Sequence, residues 1–167
     1  MMADYFRRLA GYNAWANRRL YDACASLSEA EYRKKRPAFF RSIHGTLNHL
    51  MVADRVWMGR IEGVDPGIKA LDQILYDDLP GLRAAREAED ARIAAFVAPL
   101  GDGEIGQVVR YHTVSQPEAE MATPLHLILG HMFNHETHHR GQVHGLLSQT
   151  EVPPPPLDFI FYLRQTA

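Results

Sequence analysis

The chain has little of several features that define particular protein classes. It contains one cysteine, Cys24, in 167 residues, which excludes an internal disulfide. No apolar run approaches the ~18 residues of a membrane-spanning helix. The formal net charge is −2, and the only basic run, residues 33–36, is too short to favour binding to nucleic acid. These absences predict a cytoplasmic protein that neither crosses a membrane nor binds nucleic acid.

Strand-like alternation is also scarce, whereas helical periodicity extends over most of the chain. The length suits a single domain over residues 1–167. Apolar residues at helical spacing predict four long amphipathic helices, with bounds at about 4–26, 43–62, 79–100 and 124–148. Four such helices predict an all-α fold, a four-helix bundle. Residues 104–122 lack the period, include a possible extended segment at 107–111, and are long enough for one connection to cross the bundle.

Residues typical of helix ends support these bounds. Ser28 begins a capping box that predicts a short helical turn, and the second long helix is expected to begin after Ser42. Asp78 and Thr123 are the predicted N-caps of the third and fourth long helices, each followed closely by a proline. Asp158, after a run of prolines, is expected to cap a short terminal helix.

The most informative motif is His135-Glu136-Thr137-His138-His139, in the fourth predicted helix. Histidines four residues apart lie one above the other on a helix, so His135 and His139 can bind a single metal ion. A helical wheel places His139 within the apolar face and His135 at its edge. Core histidines bonded to neighbouring groups are the alternative interpretation. An inward pair with a third histidine available on another helix favours a metal ion.

The third ligand is expected from the second long helix, which carries His44 and His49. The helical wheel prefers His49, on the flank shared with Ala53 and Trp57, only weakly. Three neutral imidazoles leave a fourth coordination position open for water or substrate. This donor set suits zinc, nickel, copper or iron, of which we favour zinc and nickel.

The same residues match the H-E-x-x-H pattern of zinc peptidases, in which the glutamate is the general base. The extended peptidase pattern is absent, because Gln142 replaces the required glycine and Gly145 replaces the third histidine. A peptidase is therefore disfavoured. Glu136 lies toward the apolar face of its helix and is a candidate acid–base residue or a residue that supports the metal ligands. A partly solvated carboxylate on the helix surface is the alternative.

A second candidate catalytic residue, Asp54, lies in the middle of the apolar face of the second long helix. A buried carboxylate needs a partner, and Arg140 is the expected one. A purely structural ion pair is the alternative to a catalytic role. Asn13 and Asn17 also turn inward on the first helix. These polar groups are expected either to form a pocket floor at one end of the bundle or to make interhelical hydrogen bonds.

Three segments, in this order and at these separations, resemble the DinB family of small damage-inducible proteins. They are Tyr12–Leu20, Gly45–Leu50 together with Asp54 and Trp57, and Asn134–Gln142. The resemblance covers essentially the whole chain and implies a four-helix bundle, often homodimeric, that holds a divalent metal ion. Carried over to this sequence, the ligands are His49, His135 and His139. The wider superfamily includes thiol S-transferases that use bacillithiol or mycothiol, and a maleylpyruvate isomerase.

These observations predict a metal-dependent enzyme that acts on an unidentified small molecule. The expected reaction is a hydrolysis, because zinc lowers the pKa of water to about 7, or the transfer of a low-molecular-weight thiol to an electrophile. The alternative is a non-catalytic metal-binding or stress-response protein, whose ion only joins two helices. The family's damage-inducible name does not imply DNA binding.

Overall fold

The computed structural model describes residues 1–113 and 116–166. Within these residues the fold is mostly helical, with one small two-stranded sheet. The elements are, in chain order, α1 (Met2–Cys24), α2 (Glu29–Arg33), α3 (Ile43–Glu62), α4 (Leu79–Val97), α5 (Asp102–Ile105), β1 (Val108–Thr113), β2 (Gln116–Pro124), α6 (Leu125–Leu147) and α7 (Phe159–Gln165). None of the helices in this part of the chain is both long and apolar enough to cross a lipid bilayer.

Side chains at three predicted helix starts make the expected capping hydrogen bonds. The hydroxyl group of Ser28 accepts a hydrogen bond from the backbone N–H of Glu31 at 3.2 Å. The side chains of Ser42 and Asp78 accept from the N–H groups three residues further on, at 2.9 and 2.6 Å. Helix α3 ends at Gly63, whose φ of 70° is in the left-handed region that glycine adopts without strain. The predicted positions of these ends are confirmed.

One other predicted cap, Thr123, is wrong, and another, Asp158, has the predicted position without the capping hydrogen bond. Thr123 lies in strand β2, and its hydroxyl oxygen is 3.3 Å from that of Tyr111. Helix α6 instead begins at Leu125, whose N–H donates to the carbonyl oxygen of Gln107 at 2.8 Å. A backbone carbonyl group just before β1 therefore takes the place of a side-chain cap. Asp158 does precede α7, but its side chain makes no capping hydrogen bond.

The prediction that the fold is entirely α-helical is corrected by the segment between α4 and α6. Strands β1 and β2 form an antiparallel hairpin, in which His112 pairs with Glu120 before the register shifts. Strand β1 alternates exposed and half-buried residues, and Val109 and Tyr111 pack on the apolar core. The expected extended segment at 107–111 overlaps this strand. The second strand is mostly exposed, so it carries no apolar alternation by which it could be recognised.

The four long helices pack in a ring. Helix α1 packs against α4 and α6, and α3 packs against the same two helices, so α1 lies opposite α3 and α4 lies opposite α6. Two apolar clusters fill the interior. One includes Phe6, Met58 and Ile128, and the other includes Leu20, Leu47 and Val143. Polar side chains from the middle of each long helix lie between the two clusters, and they are described below.

Candidate metal centre

Three histidines from two helices converge where α3 packs against α6. One ring nitrogen from each of His49, His135 and His139 lies within 4.8 Å of the other two. The Nε2 atoms of His49 and His135 are 3.1 Å apart. Two nitrogens bound to one tetrahedral zinc ion, at bond lengths of ~2.0–2.1 Å, would be separated by about 3.3 Å. The group can therefore hold one metal ion, and it consists of the three histidines that the sequence singled out.

Hydrogen bonds on the far side of two rings fix which nitrogen is available. Nδ1 of His49 lies 2.8 Å from the carbonyl oxygen of Leu71, and Nδ1 of His139 lies 2.8 Å from the amide oxygen of Gln142. Since both oxygens can only accept, each Nδ1 carries the proton and each Nε2 keeps its lone pair. Such bonds orient metal-binding imidazoles and increase their basicity.

Asn48 anchors the loop that carries Leu71. Its amide oxygen accepts hydrogen bonds from the backbone N–H groups of Leu75 and Tyr76, at 2.9 and 3.0 Å. Its amide nitrogen donates to the carbonyl oxygens of His44 and Tyr76. Nε2 of His44 also lies 3.0 Å from the carbonyl oxygen of Tyr76. The wheel left His44 and His49 open as the third histidine; His44 instead holds this loop and is not part of the cluster.

The surroundings of the cluster favour neutral imidazoles. Burial lowers the pKa of His49, His135 and His139, and burial together with the other two rings lowers that of His135 to about 3. Neutral imidazole is the form that binds metal ions. The ring of Phe40 stacks on that of His49, with centroids 3.8 Å apart. His135 is partly exposed whereas the other two are buried, so the cluster is reached from the side of His135.

A second polar group, which we call the charged layer, lies between the apolar clusters. It consists of Asp54, Arg86, Asp90, Glu136 and Arg140, all buried. Arg86 Nη1 lies 2.8 Å from Asp54 Oδ2 and 3.2 Å from Glu136 Oε1. Arg86 Nη2 lies 3.0 Å from Asp90 Oδ1, and Arg140 Nη1 lies 2.8 Å from Glu136 Oε2. The layer thus connects α3, α4 and α6 through ion pairs.

Two asparagines extend the charged layer to α1. The amide nitrogens of Asn13 and Asn17 each lie 3.1 Å from Asp90 Oδ1. Their amide oxygens accept hydrogen bonds from Nη1 of Arg140. Of the two predicted roles, interhelical hydrogen bonding is the one that the structure shows. Both residues lie near the middle of α1. The floor of an end pocket would require them to lie at one end of the fold.

The carboxyl groups of the charged layer differ in protonation. Burial, followed by the charge of Glu136, raises the pKa of Asp54 well above its ordinary value. Burial also opposes ionisation of Glu136, but Arg86, Arg140 and a hydrogen bond from Asp54 outweigh it and lower its pKa. The environment thus favours the protonated form of Asp54 and the ionised form of Glu136. Burial raises the pKa of Asp90 as well, although the charge of Arg86 opposes this effect.

The charged layer corrects the predictions made for the partner of Asp54 and for the exposure of Glu136. It also contains two buried residues that were not predicted. The ion-pair partner of Asp54 is Arg86 of α4, because Arg140 lies on the helix of Glu136 and pairs there. Glu136 is only 1% exposed, so it is not a partly solvated surface carboxylate. Arg86 and Asp90 were missed, although they share the helical spacing of the buried residues of α4, Leu82, Ile93 and Val97.

The structure separates the candidate catalytic residues from the histidine cluster. Within residues 1–113 and 116–166, neither Asp54 nor Glu136 makes a hydrogen bond with one of the three histidines. The charge of Glu136 nevertheless acts on all three rings, where it favours the positively charged form. It therefore contributes a negative potential at the cluster.

The fold and the cluster define a class, namely mostly helical proteins with a candidate three-histidine metal site between two long helices. The sequence profile of the DinB family matches residues 1–167, and the chain belongs to the DinB family. It is also similar to protein DinB of Bacillus subtilis (strain 168), with 25% identity over 179 residues that cover 99% of this chain and 97% of the relative. The resemblance seen in the sequence is thereby confirmed.

Proposed function

We propose that His49, His135 and His139 bind one divalent metal ion, zinc or nickel, and that the protein is a metal-dependent enzyme acting on a small molecule. The architecture would be a DinB-type four-helix bundle, in which the segment at 104–122 is one crossover connection and the segment between α1 and α3 also joins opposite helices. The observation that carries the proposal is the convergence of three neutral imidazoles, with 3.1 Å between two Nε2 atoms. Two lone pairs at this distance repel one another unless a cation or a proton lies between them.

The residues of the chain supply the remaining requirements of such a site. Leu71 and Gln142 hold two of the rings with Nε2 directed to the cluster. Glu136, fixed by its arginine partners, supplies a negative potential that attracts a cation. The ion, when bound, would act as a Lewis acid that activates water or a thiolate. Hydrolysis and transfer of a low-molecular-weight thiol are the two reactions that this chemistry serves.

The geometry favours a role for Glu136 other than the direct general base of zinc peptidases. A general base needs a lone pair that faces the substrate, whereas both oxygens of this carboxylate accept from guanidinium groups. Asp54 would hold the proton that neutralises the surplus acid of the charged layer. The two residues would thus position and polarise the site without touching the substrate.

The second candidate function is non-catalytic. His49 and His139 are only 4% and 7% exposed and belong to different helices, so a bound ion would join α3 to α6. Joining these two helices would be sufficient for a metal-binding or stress-response protein. A closed coordination sphere and a large loss of stability on removal of the ion would distinguish this function from catalysis.

We further infer a cytoplasmic homodimer. The single cysteine supports a reducing compartment, and family membership supports a dimer. Light scattering coupled to size-exclusion chromatography measures the mass directly, and a mass near 18.9 kDa would contradict the dimer.

The test of the metal site is elemental analysis of protein purified without an affinity tag or chelator. We expect about one divalent ion per chain, lost in His49→Ala, His135→Ala and His139→Ala. His144→Ala is the matched control, because His144 is on the same helix outside the cluster and should leave metal content unchanged. Full metal content in the His135→Ala/His139→Ala double variant would overturn the site. So would a wild-type protein that stays metal-free after zinc and nickel are added.

Cobalt substitution tests whether the ion is catalytic. An open coordination position should accept 2-mercaptoethanol, and the visible absorption of the cobalt protein should then change. A spectrum that is unaffected by the thiol, together with a large loss of stability on removal of the ion, would assign the ion to the structural role.

A further inference from the structure

Arg60 lies on the same face of α3 as His49, about three turns further along. Eleven residues separate the two, which corresponds to about 16 Å along the helix axis and a rotation of about 20°. The guanidinium carbon of Arg60 lies 4.4 Å from the ring centroid of Trp57 and 5.1 Å from that of Tyr111. Trp57 in turn contacts His131, with centroids 4.9 Å apart, one helical turn before His135. Contacts through Trp57 and His131 therefore connect Arg60 to the part of α6 that carries His135.

Arg60 makes neither a hydrogen bond nor an ion pair with any residue in the described part of the chain. Other arginines nearby are paired: Arg55 donates to the hydroxyl group of Tyr76 at 2.7 Å, and Arg92 pairs with two glutamates. Stacking satisfies the faces of the Arg60 guanidinium but leaves the N–H groups at its edge available. Partial burial lowers its pKa, and no acid compensates for the lost hydration.

A groove of about 280 Å³ lies along this face of α3, beneath the loop that follows the helix. Its lining residues include two cations, no acid and several apolar side chains: Val56, Arg60, Ile68, Lys69, Ala70, Leu71 and Thr113. The volume is close to the lower end of the range for small-molecule pockets. Leu71 belongs to both regions, because it lines the groove while its carbonyl oxygen orients His49.

We propose that this groove binds a small carboxylate with an apolar body, and that Arg60 anchors the carboxylate. The apolar lining would take the body of the ligand, and Lys69 would add a second positive charge at the rim. The proposal rests on the proposed function in one respect: the substrate of the metal site would be a molecule of this class. Binding to the groove itself does not require the metal ion.

The test is isothermal titration calorimetry with hexanoate and, as its uncharged counterpart, 1-hexanol. We expect hexanoate to bind wild-type protein, 1-hexanol to bind at least ten-fold more weakly, and Arg60→Met to weaken hexanoate binding at least ten-fold. Lys69→Gln should have a smaller effect. Arg55→Met is the matched control, because Arg55 is on the same helix but already paired, and it should bind hexanoate as the wild type does.

Three results would each overturn the proposal. They are equal affinity for hexanoate and 1-hexanol, unchanged affinity for hexanoate in Arg60→Met, and no heat of binding at millimolar hexanoate. Titration of His135→Ala separates it from the proposed function. Binding that is lost in His135→Ala but kept in Arg60→Met would mean that hexanoate binds at the histidines. Binding kept in His135→Ala, without metal in any protein, would support the groove while the metal site fails.

Discussion

The histidine cluster and the charged layer are both polar, lie near the middle of the same helices, and differ in how their polar atoms are satisfied. On α6 the two groups alternate along the sequence: His135 is followed by Glu136, and His139 is followed by Arg140. Ion pairs with two guanidinium groups hold the acids of the charged layer, although Nε and Nη2 of Arg86 make no hydrogen bond within the described residues. In the histidine cluster, the Nδ1 atoms of His49 and His139 donate to oxygens outside it, so their Nε2 lone pairs are available to the cluster. The first arrangement stabilises one packing of the helices, whereas the second has capacity left for a cation.

The largest expected effect separates the two regions by stability. Arg86→Met keeps much of the aliphatic stem but leaves three carboxyl groups without their shared partner. We expect a loss of about 3–5 kcal/mol in the free energy of unfolding, measured by urea denaturation. Arg83→Met, which removes a half-buried arginine one turn earlier whose acidic partners are exposed, should cost no more than about 1 kcal/mol. Equal losses for the two variants would mean that the charged layer contributes no more than surface ion pairs.

An intermediate effect is expected on metal affinity without a change in stability. Gln142→Ala removes the acceptor that orients His139 and should weaken zinc binding about ten-fold, by competition with a chromophoric chelator. Gln149→Ala, beyond the end of α6, is the control and should bind zinc normally. Unchanged affinity in Gln142→Ala would show that the ring is oriented by packing alone.

The last prediction concerns the pH dependence of stability that the charged layer causes. Because the pKa of Asp54 is raised on folding, the folded protein keeps a proton that the unfolded chain releases, so this group destabilises the fold as pH rises. Asp54→Asn imitates the protonated form. Its stability relative to wild type should increase between about pH 4 and pH 7, by at most about 1.4 kcal/mol per pH unit.

Urea denaturation at each pH measures this trend, and Asp72→Asn, at an exposed position, is the control for changes in net charge. A constant difference between Asp54→Asn and wild type across the range would show that Asp54 is ionised in the folded protein.

The sequence by itself determined the helical elements and the three candidate ligands. Helical periodicity, together with local caps such as Ser42 and Asp78, fixed all four long helices to within a few residues. These signals are readable because each depends on residues within one or two turns. The pair His135 and His139 is a local signal of the same kind. The family resemblance, now confirmed, singled out His49.

Only the tertiary structure decided how the polar residues are partnered. Nothing local to Asp54 specifies Arg86, 32 residues away on another helix, and nothing local to His49 specifies the carbonyl oxygen of Leu71. The extended segment at 107–111 was predicted, but its pairing with the second strand of the hairpin was missed for a related reason. The backbone hydrogen bonds of the hairpin form between its two strands. The second strand buries too few side chains to leave an apolar alternation in the sequence. Contacts between elements depend on packing geometry, which a one-dimensional pattern does not contain.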